Sequence, residues 1–121
     1  MFRILTAGLI LAGSATAAFA ADPAAGAKIF KSQCSICHSP VAGKNGVGPS
    51  LFGVVGRQAG SEPGFHYSAD HKKLGITWDQ ASLDKYLTNP RAMVHDTTMS
   101  YPGLKNEAER ADLIAYLATL H

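Results

Sequence analysis

Three residues in the stretch QCSICHSP, 33–40, have the types and the spacing to do chemistry: Cys34, Cys37 and His38. They include the only two cysteines of the chain. A Cys-x-x-Cys pair suits four ends: half of a zinc site, a redox dithiol, a small disulfide, or the attachment of haem. Structural zinc wants four ligands, and there is no second cysteine pair. Of the five histidines, only His66 and His71 have the spacing of a paired-histidine motif. A dithiol of thioredoxin type belongs beside a βαβ pattern, which is absent. A disulfide across so short a loop removes little chain entropy and makes a poor staple.

Haem attachment uses all three residues at once, and Cys-x-x-Cys-His is its signature. Each sulfur adds to one vinyl group, and the adjoining imidazole of His38 then lies under the iron. On a helical turn, positions 34, 37 and 38 share one face, so the tether aims the imidazole. The iron also needs a sixth ligand or an open position, and that choice separates an electron carrier from an enzyme or sensor. The residues downstream that qualify are Met93, Met99, His66, His71, His95 and His121. Met93 lies just after Pro90, where packing accounts for it. Met99 stands alone in the polar loop HDTTMSYPGL, where packing supplies no reason for a methionine, so it is the favoured candidate.

These residues need elements to hold them. The first 20 residues, MFRILTAGLILAGSATAAFA, have one early positive charge, a short apolar run and Ala18-Phe19-Ala20 before Ala21. They read as a cleaved secretory signal peptide, an uncleaved anchor being the alternative. Residues 21–121 then form one small domain. Without Arg3 the balance is 10 Lys and Arg against 9 Asp and Glu, which gives no support for nucleic-acid binding. Helical periodicity appears at 24–38, through Ala27, Phe30, Cys34 and Cys37. It appears again through Leu83, Tyr86 and Leu87, where Pro90 ends the run. The last helix carries Leu113, Tyr116, Leu117 and Leu120, with Asn106 and Glu109 spaced as a capping box. Between the first two helices, a long Gly- and Pro-rich region has no period and predicts loops. The fold class expected is all-α: three to five helices, with long loops wrapped around something that supplements a thin core.

The chain resembles the class I c-type cytochromes, a family that includes mitochondrial cytochrome c and its bacterial relatives. The likeness runs through GAKIFKSQCSICH, GKNGVGPSLFGVVGRQAG, PGFHYS, GITW, LDKYLTNP, MSYPGL and ERADLIAYL, in the family's order. It implies one covalent haem c in a small cytochrome c fold, with thioethers at Cys34 and Cys37. It implies His38 and Met99 as the axial ligands, and Pro49 as the acceptor of the His38 hydrogen bond. Arg57, Tyr67 and Trp78 match the family's propionate-binding residues. Tyr86 matches the tyrosine near the methionine sulfur, and Thr97 lies in the same ligand loop. Gly26 and Phe30 match the positions that cross the last helix at Leu113 and Tyr116.

Two positions depart from the family pattern. His95-Asp96 stands where a Pro-Gly is common, which predicts a less rigid ligand loop and a histidine able to compete for the iron. His71 replaces a polar amide near the distal side, which predicts a potential coupled to pH. The function implied is one-electron transfer without catalysis, between redox proteins such as an oxidase, a bc1-type complex or a dehydrogenase. The expected carrier is a periplasmic monomer that neither inserts in a membrane nor binds nucleic acid. Phe52, Leu87, Leu104 and Leu117 are expected to bury the haem, and Lys31, Lys44 and Lys105 to ring its exposed edge. The alternatives are a peroxidase-like or gas-binding protein with open iron, and a subunit of a larger redox complex.

Overall fold

A computed structural model describes Gly13 and residues 20–121. The expected signal peptide therefore falls, but for two residues, outside the described residues. Five α-helices follow in order: α1 Pro23–Ile29, α2 Ala69–Lys72, α3 Gln80–Thr88, α4 Pro90–Met93 and α5 Glu107–Leu117. Among the described residues the only β-type pairing is one isolated bridge, Gln58 to Thr77. The fold is all-α with long loops, as the sequence predicts.

α1 starts where Asp22 accepts from the Ala24 amide at 2.9 Å and Pro23 takes the first helical position. The single helix expected over 24–38 is corrected. After Ile29 the chain widens into a π-helical turn, Phe30–Cys34. The widening is seen at Ser35, whose hydroxyl donates to the Lys31 carbonyl at 2.5 Å while its amide reaches back to the Phe30 carbonyl at 2.9 Å. The chain then tightens again, with the His38 amide on the Cys34 carbonyl at 2.9 Å. Cys34 and His38 are thus one ordinary helical turn apart.

α1 crosses α5 at Gly26. The Asp22 amide donates to the Asp112 carboxylate at 2.7 Å, and the Phe30 and Tyr116 rings lie 5.3 Å apart. The close approach at Gly26 is to Asp112 and Tyr116, one residue earlier on α5 than the expected Leu113. On α5, Leu113, Ile114 and Leu117 are buried and Tyr116 is half-buried, while Leu120, expected in this helix, follows its end and is half-buried. The expected two-sided box at its start forms only one arm, Asn106 accepting from the Glu109 amide at 3.0 Å. A two-sided box caps α3 instead, between Asp79 and Ser82. Arg110, buried on α5, reaches Asp84 of α3 at 2.6 Å and the Leu104 carbonyl at 3.0 Å. That pair locks α3 against α5.

The loop regions carry their own ties. Asn45 donates to the Pro63 carbonyl at 2.9 Å and accepts from the Ser50 amide at 3.0 Å. Trp78 and Arg57 pair backbone to backbone at 2.8 Å. These bonds satisfy backbone groups that no helix or sheet serves, and they hold Pro49, Arg57 and Trp78 around one opening.

Candidate cofactor site

A cavity of about 380 Å³ opens in the interior. The turn after α1 gives it Cys34, Cys37 and His38. The long loop gives Pro49, Arg57 and Tyr67, the segment just before α3 gives Trp78, and the last turn of α3 gives Tyr86. Thr97 and Met99 reach it from the segment between α4 and α5. All ten residues singled out for the site therefore meet on one space. Leu83, Leu87, Leu113 and Leu117 add apolar surface to it. Such a volume is large for a chain this short, whose interior is otherwise packed.

His38 is fixed on two sides. Its Nδ1 lies 2.7 Å from the Pro49 carbonyl, so Nδ1 carries the proton and donates. The lone pair is then left on Nε2, the nitrogen available to a metal. The ring packs so tightly on Gly48 that a Cβ there would lie 2.3 Å from His38 Cε1. Burial lowers the His38 pKa first and Arg57 lowers it further, against the Pro49 bond. The imidazole is held neutral, the state a metal requires.

Cys34 and Cys37 are free thiols. Burial, with Cys37 second, pushes the Cys34 thiol up to about 11. A redox dithiol needs the opposite shift, toward the thiolate. Among the described residues, no group of three or more His, Cys, Asp and Glu side chains is placed to hold a bare metal ion.

Arg57 and Tyr67 converge on a residue that the sequence reading missed. Glu62 accepts from Arg57 Nη1 at 2.9 Å, with both side chains nearly buried, and its amide donates to the Tyr67 hydroxyl at 3.1 Å. Arg57 also donates to the Ser50 carbonyl at 2.9 Å. Nothing in the residue types marks Glu62. It becomes visible only when the 57–62 turn closes. Tyr86 is pushed up to about 12, by burial against a hydrogen bond with Thr97. The Met99 amide in turn donates to Thr97 Oγ1 at 3.1 Å.

Of the other histidines, His71 lines the cavity, its ring 4.7 Å from Tyr67. His66, His95 and His121 are exposed and outside it, and Met93 packs against the core. Phe52 is corrected: it is 38% exposed and lies outside the cavity, where a buried neighbour was expected. Leu104 is buried in the core but does not line the cavity. In the Met99 segment, Asp96 accepts from the Asp70 amide of α2 at 3.1 Å. Lys105 is drawn onto the Thr88 and Pro102 carbonyls, while Lys31 and Lys44 are exposed.

The same chain can be compared with known proteins. The Cytochrome c family model matches residues 23–121. Cytochrome c2 of Rhodomicrobium vannielii is 54% identical over 121 residues, 98% of this chain and 95% of the relative. Cytochrome c2 of Rhodopila globiformis is 48% identical over 82% of this chain and 93% of its own. Among solved structures, cytochrome cH from Methylobacterium extorquens superposes with a TM-score of 0.75 at 46% identity, over 81% of this chain and 98% of its own. With the cavity, its paired cysteines and its fixed histidine already in view, these likenesses place the chain in the cytochrome c family.

Proposed function

We propose that this chain is a one-electron carrier whose single haem c fills the cavity, bound by thioethers at Cys34 and Cys37 and ligated by His38 and Met99. One observation carries the reading. Both cysteines, a histidine with its tautomer fixed by Pro49, and a methionine open on the same largely apolar space. The donor set suits haem: two thiols for the vinyl groups, one imidazole nitrogen and one thioether.

Bound there, haem supplies an iron couple that moves one electron between the ferrous and ferric states. The chain's own residues set the conditions. Pro49 holds the His38 ring and raises the basicity of its free nitrogen. Met99, a soft ligand, favours the reduced state and so a positive potential. Leu83, Leu87, Leu113 and Leu117 exclude water and disfavour net charge, which acts in the same direction. Arg57, Tyr67 and Trp78 bring donors to the cavity, where carboxylate groups of the bound molecule would be held. Ile36 and Val47, 87% and 78% exposed, stand on the rim. A carrier of this kind makes and breaks no substrate bond, so no residue is assigned a catalytic role.

No helix among the described residues is long and apolar enough to cross a membrane. Cleavage after Ala20 would release residues 21–121 into the periplasm, where we place the carrier as a monomer between redox proteins. An oxidase, a bc1-type complex and a dehydrogenase all fit as partners. The mass of the exported protein tests the cleavage.

The experiment for the site is an absorption spectrum, oxidised and reduced, with and without carbon monoxide. A weak far-red sulfur-to-iron band in the oxidised form, and indifference to carbon monoxide in the reduced form, are expected of Met99 ligation. Ready carbon monoxide binding would overturn it in favour of an open-iron enzyme or sensor.

A further inference from the structure

The segment that carries Met99 has few anchors. Val94 is fully buried, and its amide bonds the Pro90 carbonyl at 2.9 Å. Thr97 turns back to Val94 at 3.2 Å, and its hydroxyl takes the Met99 amide at 3.1 Å. Past Met99, the next side-chain tie is Tyr101, whose hydroxyl donates to Gln33 at 2.6 Å. Between them comes Asp96. Its carboxylate spans 26 positions to accept the Asp70 amide in the first turn of α2, at 3.1 Å.

That bond joins two pieces of the cavity wall. α2 carries His71, and the 94–99 segment carries Thr97 and Met99, all of which line the same space. Ser68 caps the next amide of α2, that of His71, at 3.3 Å. The opening turn of α2 is therefore served by one local acceptor and one from the Met99 segment. Helix-start amides have no partner within the helix, so each must find an acceptor or water. Bonds from Ser68, then from Asp70 and Ala69, hold the Asp96 carboxyl below the usual range.

We propose that Asp96 is a positioning residue for Met99: a latch that fastens the ligand segment to α2 and sets how firmly the methionine is presented. The proposal rests on Met99 as the axial ligand. The carboxylate acts as a hydrogen-bond acceptor on a defined amide, and through Thr97 the restraint passes to the Met99 backbone. Without the latch, the segment is held at Val94, by the Tyr86 bond to Thr97 and beyond Met99, and loses its tie to α2.

The test uses the holoprotein at neutral pH, with three readouts: the far-red band of the oxidised form, carbon monoxide binding by the reduced form, and exchange of the Asp70 amide. Asp96 is exposed, so Asp96→Ala is expected to fold. Losing a bond of ordinary strength should speed exchange of the Asp70 amide by about five- to tenfold. It should also weaken the band and raise carbon monoxide binding several-fold. Asp96→Asn retains an oxygen acceptor and should restore all three. A variant Asp96→Ala with faster amide exchange but an intact band and no carbon monoxide binding would overturn the positioning role. Equal impairment in Asp96→Asn would show that charge, not the bond, matters, and would also overturn it. A wild-type protein without the band would fail on the Met99 assignment itself, and the latch would fall with it.

Discussion

A Cβ built on Gly26 would lie 1.9 Å from the carbonyl oxygen of Asp112 and 2.8 Å from Cβ of Tyr116. The first contact is with backbone inside α5, so no rotamer change relieves it. The two helices touch here main chain to main chain. Everything on the turn after α1, including Cys34 and His38, takes its place from that crossing.

Gly26→Ala should therefore separate α1 from α5 and destabilise the holoprotein by about 3 kcal/mol, the upper part of the usual overpacking range. The Asp22 to Asp112 bond, also across the crossing, should weaken with it. Denaturant unfolding of the two proteins checks this, and equal midpoints would show that the helices part at little cost.

Gly48 has the same relation to the imidazole of His38. A Cβ would lie 2.3 Å from Cε1 and 2.6 Å from Nδ1, the atom that bonds Pro49. In Gly48→Ala the ring must turn or the loop must shift, and either breaks the bond that fixes the tautomer. Lower haem incorporation and an altered ligand-field spectrum are expected. Gly46→Ala is the control, since its Cβ meets only the Cys37 carbonyl, at 3.2 Å. Normal incorporation in both variants would mean that the Pro49 bond is dispensable.

The contrast between such contacts and the sequence pattern is physical. α5 was legible because Leu113 and Leu117 repeat at the helical period and are buried. The Cys-x-x-Cys-His unit was legible because its geometry is local. The π-helical turn was not, since it depends on whether the Ser35 hydroxyl or its amide takes the Lys31 carbonyl. Pro49, Arg57 and Trp78 stood out only through the family resemblance. Phe52 misled because apolar character does not say on which side of a turn a ring emerges. Glu62 gave no signal at all, and Asp96 stood out only as a departure from the family pattern: a pairing across a loop, or from a loop to a helix start, leaves no period to read.

Glu62 offers a prediction about potential. It neutralises Arg57, which lines the cavity. Glu62→Gln keeps a hydrogen-bond acceptor for Arg57 but removes the negative charge. Uncompensated positive charge beside the iron disfavours the ferric state, so the midpoint potential should rise. The expected size is on the order of tens of millivolts, the scale of one partly screened charge. A redox titration that shows no change would mean that solvent already screens the pair, and a fall would overturn the argument.

His71 should make both stability and potential depend on pH. Its ring lies against Tyr67, Trp78 and Tyr86, and the charged groups acting on it are Arg57 and Asp96. Burial lowers its pKa first and Arg57 lowers it further, while Asp96 works the other way. A histidine whose folded pKa lies below its unfolded value of about 6.5 binds fewer protons when folded. Its contribution is thus fully present above about pH 6.5 and is lost as the pH falls from there toward the folded pKa. Over that range the imidazole gains a positive charge facing the cavity, so the potential should rise as the pH falls. His71→Asn should flatten both curves below about pH 6.5, where a histidine of lowered pKa takes up its proton. Paired stability and redox titrations of the two proteins check it. A slope that survives the substitution unchanged would assign the proton to another group.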